Sequence, residues 1–274
     1  MNPSSRAPLQ RQLAVEISTR CVLLIILYGL EFARPFQRVI KEEELWLYKN
    51  PLVPERLPVT LLLTVGIGVP VAFVFLHYLT TGDRLDLVHA LLTISLTVLL
   101  TGIITDLIKV SVGRPRPDFY YRCFPDGQVS SDLVCLGEAD VVEKGRKSFP
   151  SGHSAWAFSC GGFLSLYLSG KLHLFGPQGR GQAWRLCAFL TPLLTSCVAS
   201  LTRLQDHKHH WEDVVAGCVI GVVVSLLCYL QYYPSPLSPH CDSPLTNNGA
   251  YHLALWTPHT RKKYYATPPA LNAV

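Results

Sequence analysis

The sequence predicts an all-α membrane protein with six transmembrane helices, and three observations lead there. Only 16% of its 274 residues are charged, where soluble domains carry about 25%. Its mean hydropathy is +0.26. Several stretches of 17 to 21 residues lack any Asp, Glu, Lys or Arg, and ~20 apolar residues suffice to cross a hydrocarbon layer. A soluble globular domain is thereby excluded. An apolar content of 49% excludes chain-wide disorder, and the Gly and Pro follow no collagen-like period.

The clearest span is Val59 to Leu79, followed by Leu87 to Thr105, Ser154 to Gly170 and Leu186 to Thr202. The next, Val214 to Tyr233, contains Gly217 and Gly221, a G-x-x-x-G spacing that lets a neighbouring helix come close. The first span is the weakest. Its apolar run, Cys21 to Leu30, reaches full length only by taking in Glu16, Arg20 and Glu31. The polar leader is long and no small-residue cleavage site follows, so the segment reads as an anchor whose end charges snorkel to the interface, not as a cleaved signal. Six spans make residues 1–233 one transmembrane domain with both termini on one side. Residues 234–274 are polar, Pro-rich and aperiodic, and read as a disordered tail.

A net charge of +5 suits an anionic lipid surface and is too thinly spread for nucleic acid. Positive-inside counting gives no orientation, because Lys and Arg divide almost evenly between the two faces once site candidates are set aside. Six of the nine cysteines fall in apolar runs, where Cys acts as a small hydrophobe. Cys123 and Cys135 lie in the longest polar connection and would pair only where that loop meets an oxidising compartment.

Three polar clusters stand at span ends. Lys109 opens Lys-Val-Ser-Val-Gly-Arg-Pro-Arg-Pro, with Arg116 seven positions on; such cations can also be plain interfacial anchors. Pro150-Ser151-Gly152-His153 precedes the fourth span, making Ser151 an N-cap candidate over first-turn N–H groups that suit an anion. The third cluster is Thr202-Arg203, His209 and Asp213. A last helix starting near Lys208 would put His209 and Asp213 at i and i+4, letting the carboxylate bond one ring nitrogen and aim the other outward. His207, His210, Asp206 and Glu212 crowd the same segment. Six-span topology brings all three clusters to one membrane face. Three cations, helix-start amides, two histidines and a carboxylate form no metal cage, and a phosphate is the ligand they best neutralise.

Together, Lys109-x6-Arg116-Pro117, Pro150-Ser151-Gly152-His153 and Thr202-Arg203-x5-His209-x3-Asp213 resemble the three signature motifs of the type 2 phosphatidic acid phosphatase family. The likeness runs from Pro35-Phe36-Gln37-Arg38 to Tyr232-Tyr233-Pro234 and is nearest the diacylglycerol pyrophosphate phosphatase-like branch. It implies a six-helix enzyme with cytosolic termini and a lumenal or extracellular site, acting on lipid phosphates without a metal or other cofactor. His209 would be the nucleophile, Asp213 its orienter and His153 the acid for the leaving group. Lys109, Arg116, Ser151, Gly152 and Arg203 would hold the phosphate. The sequence departs from the family in Thr202, where Ser is usual, and in lacking an Asn-x-Ser/Thr sequon. The competing readings are a polyprenyl pyrophosphate or sugar phosphate phosphatase, a catalytically silent scaffold, which would be expected to lose a motif residue, and a channel, which would carry charge at mid-depth. Whether the chain forms a homo-oligomer, and which endomembrane or plasma membrane holds it, are not legible.

Overall fold

A computed structural model describes residues 3–128 and 135–245. Among them are nine α-helices and no strand. The long helices are α1 (Pro3–Glu31), α3 (Val59–Thr81), α4 (Arg84–Val112), α7 (Gly152–Lys171), α8 (Ala183–Gln205) and α9 (Trp211–Tyr232); α2 (Leu45–Tyr48), α5 (Phe119–Cys123) and α6 (Ala139–Gly145) are short connections.

Five helices are long and apolar enough to span a membrane: Leu13–Glu31 of α1, then α3, α4, α8 and α9. Their outward side chains include Ile25, Leu194, Val198 and Leu227, each more than half exposed, an apolar surface suited to lipid and not to water. Of the α1 charges, Glu31 is exposed at the helix end, whereas Arg20 and Glu16 do not reach outward. Arg20 turns inward, donating to Ser95 Oγ at 2.8 Å, the Leu92 carbonyl at 2.6 Å and Glu16 at 2.6 Å, because a charge at depth is tolerated when protein groups replace its water.

The remaining long helix, α7, falls short of that hydropathy measure although the sequence expectation counted it as a span. The reason is its position: α3, α4, α8 and α9 all pack around it, so lipid meets little of it. Ser154, Ser159, Ser165 and Ser169 are buried there, with Ser165 donating to the Phe189 carbonyl of α8 at 2.7 Å. Gly217 and Gly221 of α9 rest directly on the Ser151 and Ala155 carbonyls of α7. A side chain at either would have to push the two helices apart.

Chain ends are fixed by caps. Asp83 accepts from the Leu85 and Asp86 amides to start α4, and Gly113, at φ 60, stops it with an N–H to the Lys109 carbonyl. At 29 residues and 1.5 Å per residue, α4 is about 44 Å long. It links two polar ends of the bundle. At one end, buried Asp86 receives Lys171 Nζ at 2.6 Å, Tyr167 at 2.6 Å and Tyr233 at 3.0 Å; at the other lies Lys109.

The tail is not structureless from Pro234. Residues 234–245 form turns against the Asp86 end, where Lys171 reaches the Asp242 carbonyl at 2.6 Å and Cys241 is buried; the rest of the tail lies outside the described residues. Cys123 and Cys135 form a disulfide.

Candidate active site

The three motifs meet at one end of the bundle. Ser151 caps α7 with its hydroxyl, which accepts from the Ser154 amide at 3.3 Å, while its own amide donates to the Asp213 carbonyl at 2.9 Å. That bond ties the start of α7 to the start of α9. Gly152 follows and leaves room for Lys109: a Cβ there would stand 2.9 Å from Lys109 Nζ, the movable end of that side chain. Lys109, in the last turn of α4, also bonds Asp106 at 2.8 Å.

His209 is not on a helix. The expected start near Lys208 moves to Trp211, because Asp213 accepts from the His210 amide at 3.0 Å and closes a capping box with His210 as N-cap. His209 therefore sits in the turn before α9, with Nδ1 2.8 Å from the Ser148 carbonyl. A carbonyl can only accept, so Nδ1 carries the hydrogen and Nε2 keeps its lone pair. The expected Asp213 hydrogen bond is not formed, the carboxylate standing 3.7 Å from Nδ1. Asp213 is instead gripped by Ser148 Oγ at 2.6 Å and Arg114 at 2.7 Å, with no side-chain exposure.

A cavity of about 380 Å³ opens at this end, and Lys109, Arg116, Gly152, His153 and His209 line it. Ser151, Arg203 and Asp213 lie behind its wall, all buried. Burial pushes the His209 imidazole down to about 3, with Arg116 and Lys109 lowering it further against the opposing pull of Asp213. It is neutral at physiological pH. Burial and the neighbouring Arg122 lower Arg116 to about 10, still a cation, and its Nε is buried without a hydrogen-bond partner among the described residues. His153 Nε2 rests 3.0 Å from the Leu57 carbonyl and 3.4 Å from Arg203 Nη1. Among the described residues no group of three His, Cys, Asp or Glu side chains could hold a metal ion.

A neutral histidine with a free ring nitrogen, facing cations across a cavity, is brought together from three separated motifs, and the family model described as "PAP2 superfamily" matches residues 90–236, which contain all of them. The chain belongs to the PAP2 superfamily. It is 43% identical to lipid phosphate phosphatase 2 of Arabidopsis thaliana over 80% of this chain and 76% of that one. Identity is 39% to probable lipid phosphate phosphatase 4 of the same plant, over 81% and 73%. It is 27% to diacylglycerol pyrophosphate phosphatase 1 of Saccharomyces cerevisiae, over 88% and 86%. No solved structure matches.

Several groups of this PAP2 site were missed in the sequence. Arg114 lies inside the first motif but was hidden beside Arg116. Ser148 acts mainly through its backbone carbonyl, which no residue type announces. Asp118, fully buried, takes Arg122 at 2.7 Å and Lys208 at 2.9 Å; burial alone would raise its carboxyl, and these two cations outweigh it and hold it low. The cluster locks the polar 4–7 connection to the segment carrying His209. Glu55, in the connection before α3, accepts from Arg203 at 3.3 Å and carried no sequence signal.

Proposed function

We propose that the chain is a lipid phosphate phosphatase working through a phosphohistidine at His209 without a divalent metal. One observation carries it: His209, held by Ser148, presents a free Nε2 to a cavity whose polar lining includes Lys109, Arg116, His153 and the start of α7, with Glu55 and Asp106 among its acids. The phosphatase names of its relatives supply the reaction class and lipid phosphates the substrate class. Leu30, Val59, Val110 and Trp156 line the same cavity, which favours a lipid phosphate over a sugar phosphate. Phosphatidate, diacylglycerol pyrophosphate, lysophosphatidate and sphingoid or ceramide phosphates share that chemistry.

In the first step, neutral His209 Nε2 attacks phosphorus as the P–O bond to the lipid breaks. His153, whose imidazole burial and Arg203 push down to about 3, regains a proton through the charge of the bound phosphate and gives it to the departing oxygen. Lys109, Arg116, Arg203 and the Ser151–Gly152 turn neutralise the equatorial oxygens, and Asp213 stabilises the positive imidazole. In the second step water attacks phosphorus, His153 takes its proton, and His209 leaves as a neutral ring. α7 counts as the sixth span in this reading, putting both termini in the cytosol. The Cys123–Cys135 disulfide supports a lumenal or extracellular site in an endomembrane or the plasma membrane.

The test is hydrolysis of phosphatidate by purified protein in excess EDTA. Full activity that His209→Ala abolishes is expected, with an acid-labile phosphoenzyme trapped on rapid quenching. Activity lost in EDTA and restored by Mg²⁺ would refute the mechanism.

A further inference from the structure

Arg203 is the motif cation that the cavity does not reach. Its side chain is wholly buried, and each of its nitrogens has a partner: Nε with Thr202 Oγ1 at 3.2 Å, Nη2 with Asp206 at 2.9 Å and Nη1 with Glu55 at 3.3 Å, His153 Nε2 standing 3.4 Å from the same Nη1. Asp206 is as buried as Arg203, so that ion pair is internal. Glu55 differs. It is 36% exposed and lines the cavity beside Lys109, Arg116 and His209. Of the two carboxylates that Arg203 holds, Glu55 is the one on the cavity side, so a phosphate approaching Nη1 from the cavity meets that carboxylate.

The backbone around Glu55 is pinned. The Arg56 amide donates to Asp206 at 2.9 Å, and the Leu57 carbonyl faces His153 at 3.0 Å. Displacement therefore falls to the Glu55 side chain, which rotates into the cavity mouth. The carboxylate also stands 3.9 Å from His153 Nε2, the ring that serves the leaving group in the proposed mechanism. A dianionic phosphate placed there meets a like charge.

We propose that Glu55 is a resident anion: it holds the place of a phosphate oxygen on Arg203, yields it to substrate, and returns as inorganic phosphate leaves. This rests on the phosphatase reading above and adds to it a residue that sets phosphate affinity without forming or breaking bonds. A pocket lined by five Lys and Arg side chains against three acids, with Arg203 a further cation behind its wall, would retain its anionic product if all of those cations were open to it. A carboxylate competing for one of them weakens that hold, while a lipid substrate keeps the binding energy of its apolar part.

A purely structural ion pair predicts the opposite sign. If Glu55 merely steadied Arg203, Glu55→Gln would loosen the cation and weaken phosphate binding. As a competing anion, its neutralisation strengthens phosphate binding. The experiment measures inhibition constants of inorganic phosphate and orthovanadate on full-length protein in detergent, together with the rise in Tm that each anion produces. Glu55→Gln is expected to bind both more tightly by on the order of tenfold, as for one partly exposed charge near a binding site. Glu138→Gln, an exposed acid of the 4–7 connection, is expected to leave both constants unchanged. Unchanged or weaker binding in Glu55→Gln, or equal tightening in Glu138→Gln, overturns the proposal. The Tm measurement needs no turnover. A wild type inert toward lipid phosphates would thus refute the phosphatase reading, and tighter anion binding by Glu55→Gln would still uphold the resident anion.

Discussion

Replacing Asp213 with Asn removes one charge from the centre of the site and almost no volume. In this fold the carboxylate does not fix the His209 tautomer, because the Ser148 carbonyl does so at 2.8 Å. What Asp213 supplies is a negative charge 3.7 Å from Nδ1, felt when the ring turns positive in the transition state. At an effective dielectric of about 20, unit charges at that distance attract by about 4 kcal/mol, which is roughly three powers of ten in rate. Arg114, at 2.7 Å from the same carboxylate, offsets part of that field, so Asp213→Asn is expected to lose about 10²- to 10³-fold in kcat/KM on phosphatidate. The substitution also leaves Arg114 short of a partner, which costs stability by a separate route. Arg114→Gln combined with Asp213→Asn separates the two: Tm should recover while activity stays low. A Asp213→Asn protein within tenfold of wild type at unchanged Tm, or a double variant that regains activity with its Tm, would refute the electrostatic role.

The two histidines should separate by leaving group. His153→Ala is expected to lose about 10²- to 10⁴-fold on phosphatidate and far less on p-nitrophenyl phosphate, whose phenolate departs without a proton; equal losses would assign His153 to binding. Folded His209 stays neutral down to about 3, whereas an unfolded histidine takes a proton near 6.5. The unfolded state therefore binds more protons between those values, and the stability from neutral His209 is complete above about pH 6.5 and is lost as pH falls, by up to about 1.4 kcal/mol per unit. The fall in Tm from pH 7 to pH 5 should be shallower in His209→Gln, and parallel curves would contradict the burial of a neutral ring. Mass tagging of thiols in intact vesicles should leave Cys123 and Cys135 unlabelled until reductant is added. Their disulfide closes a short loop worth about 3 kcal/mol in the chain-entropy model, and labelling of both without reductant would contradict it.

What was legible in the sequence was carried by residue types that have few other uses. Lys109, Arg116, His153, Arg203 and His209 stand at the ends of uncharged runs, and a membrane allows such runs only two faces on which to emerge. That alone placed the motifs on one side, and the bonds between Ser151 and Asp213 and between Ser148 and His209 join them as neighbours. α7 was recognised as a long segment free of charge. Its enclosure was not legible: a helix packed among four others is free to carry serines that lipid would penalise, and its hydropathy falls below that of the five apolar helices.

The misses share a physical cause: they depend on which partner a group chooses, and composition does not encode that choice. Asp213 had a plausible helical partner four residues back in His209. It turned instead to the His210 amide, because an unbonded helix-start N–H is a stronger claimant than a ring that already has a carbonyl. That single preference shortens α9 to Trp211 and frees His209 from helical geometry. It also leaves the ring to be aimed by the chain segment that carries Ser148, two residues before the Pro150-Ser151-Gly152-His153 turn. The proposed nucleophile and the proposed anion-binding turn are therefore positioned by one stretch of backbone, so a change that shifts residues 148–153 should move both together, where separate supports would let them drift apart.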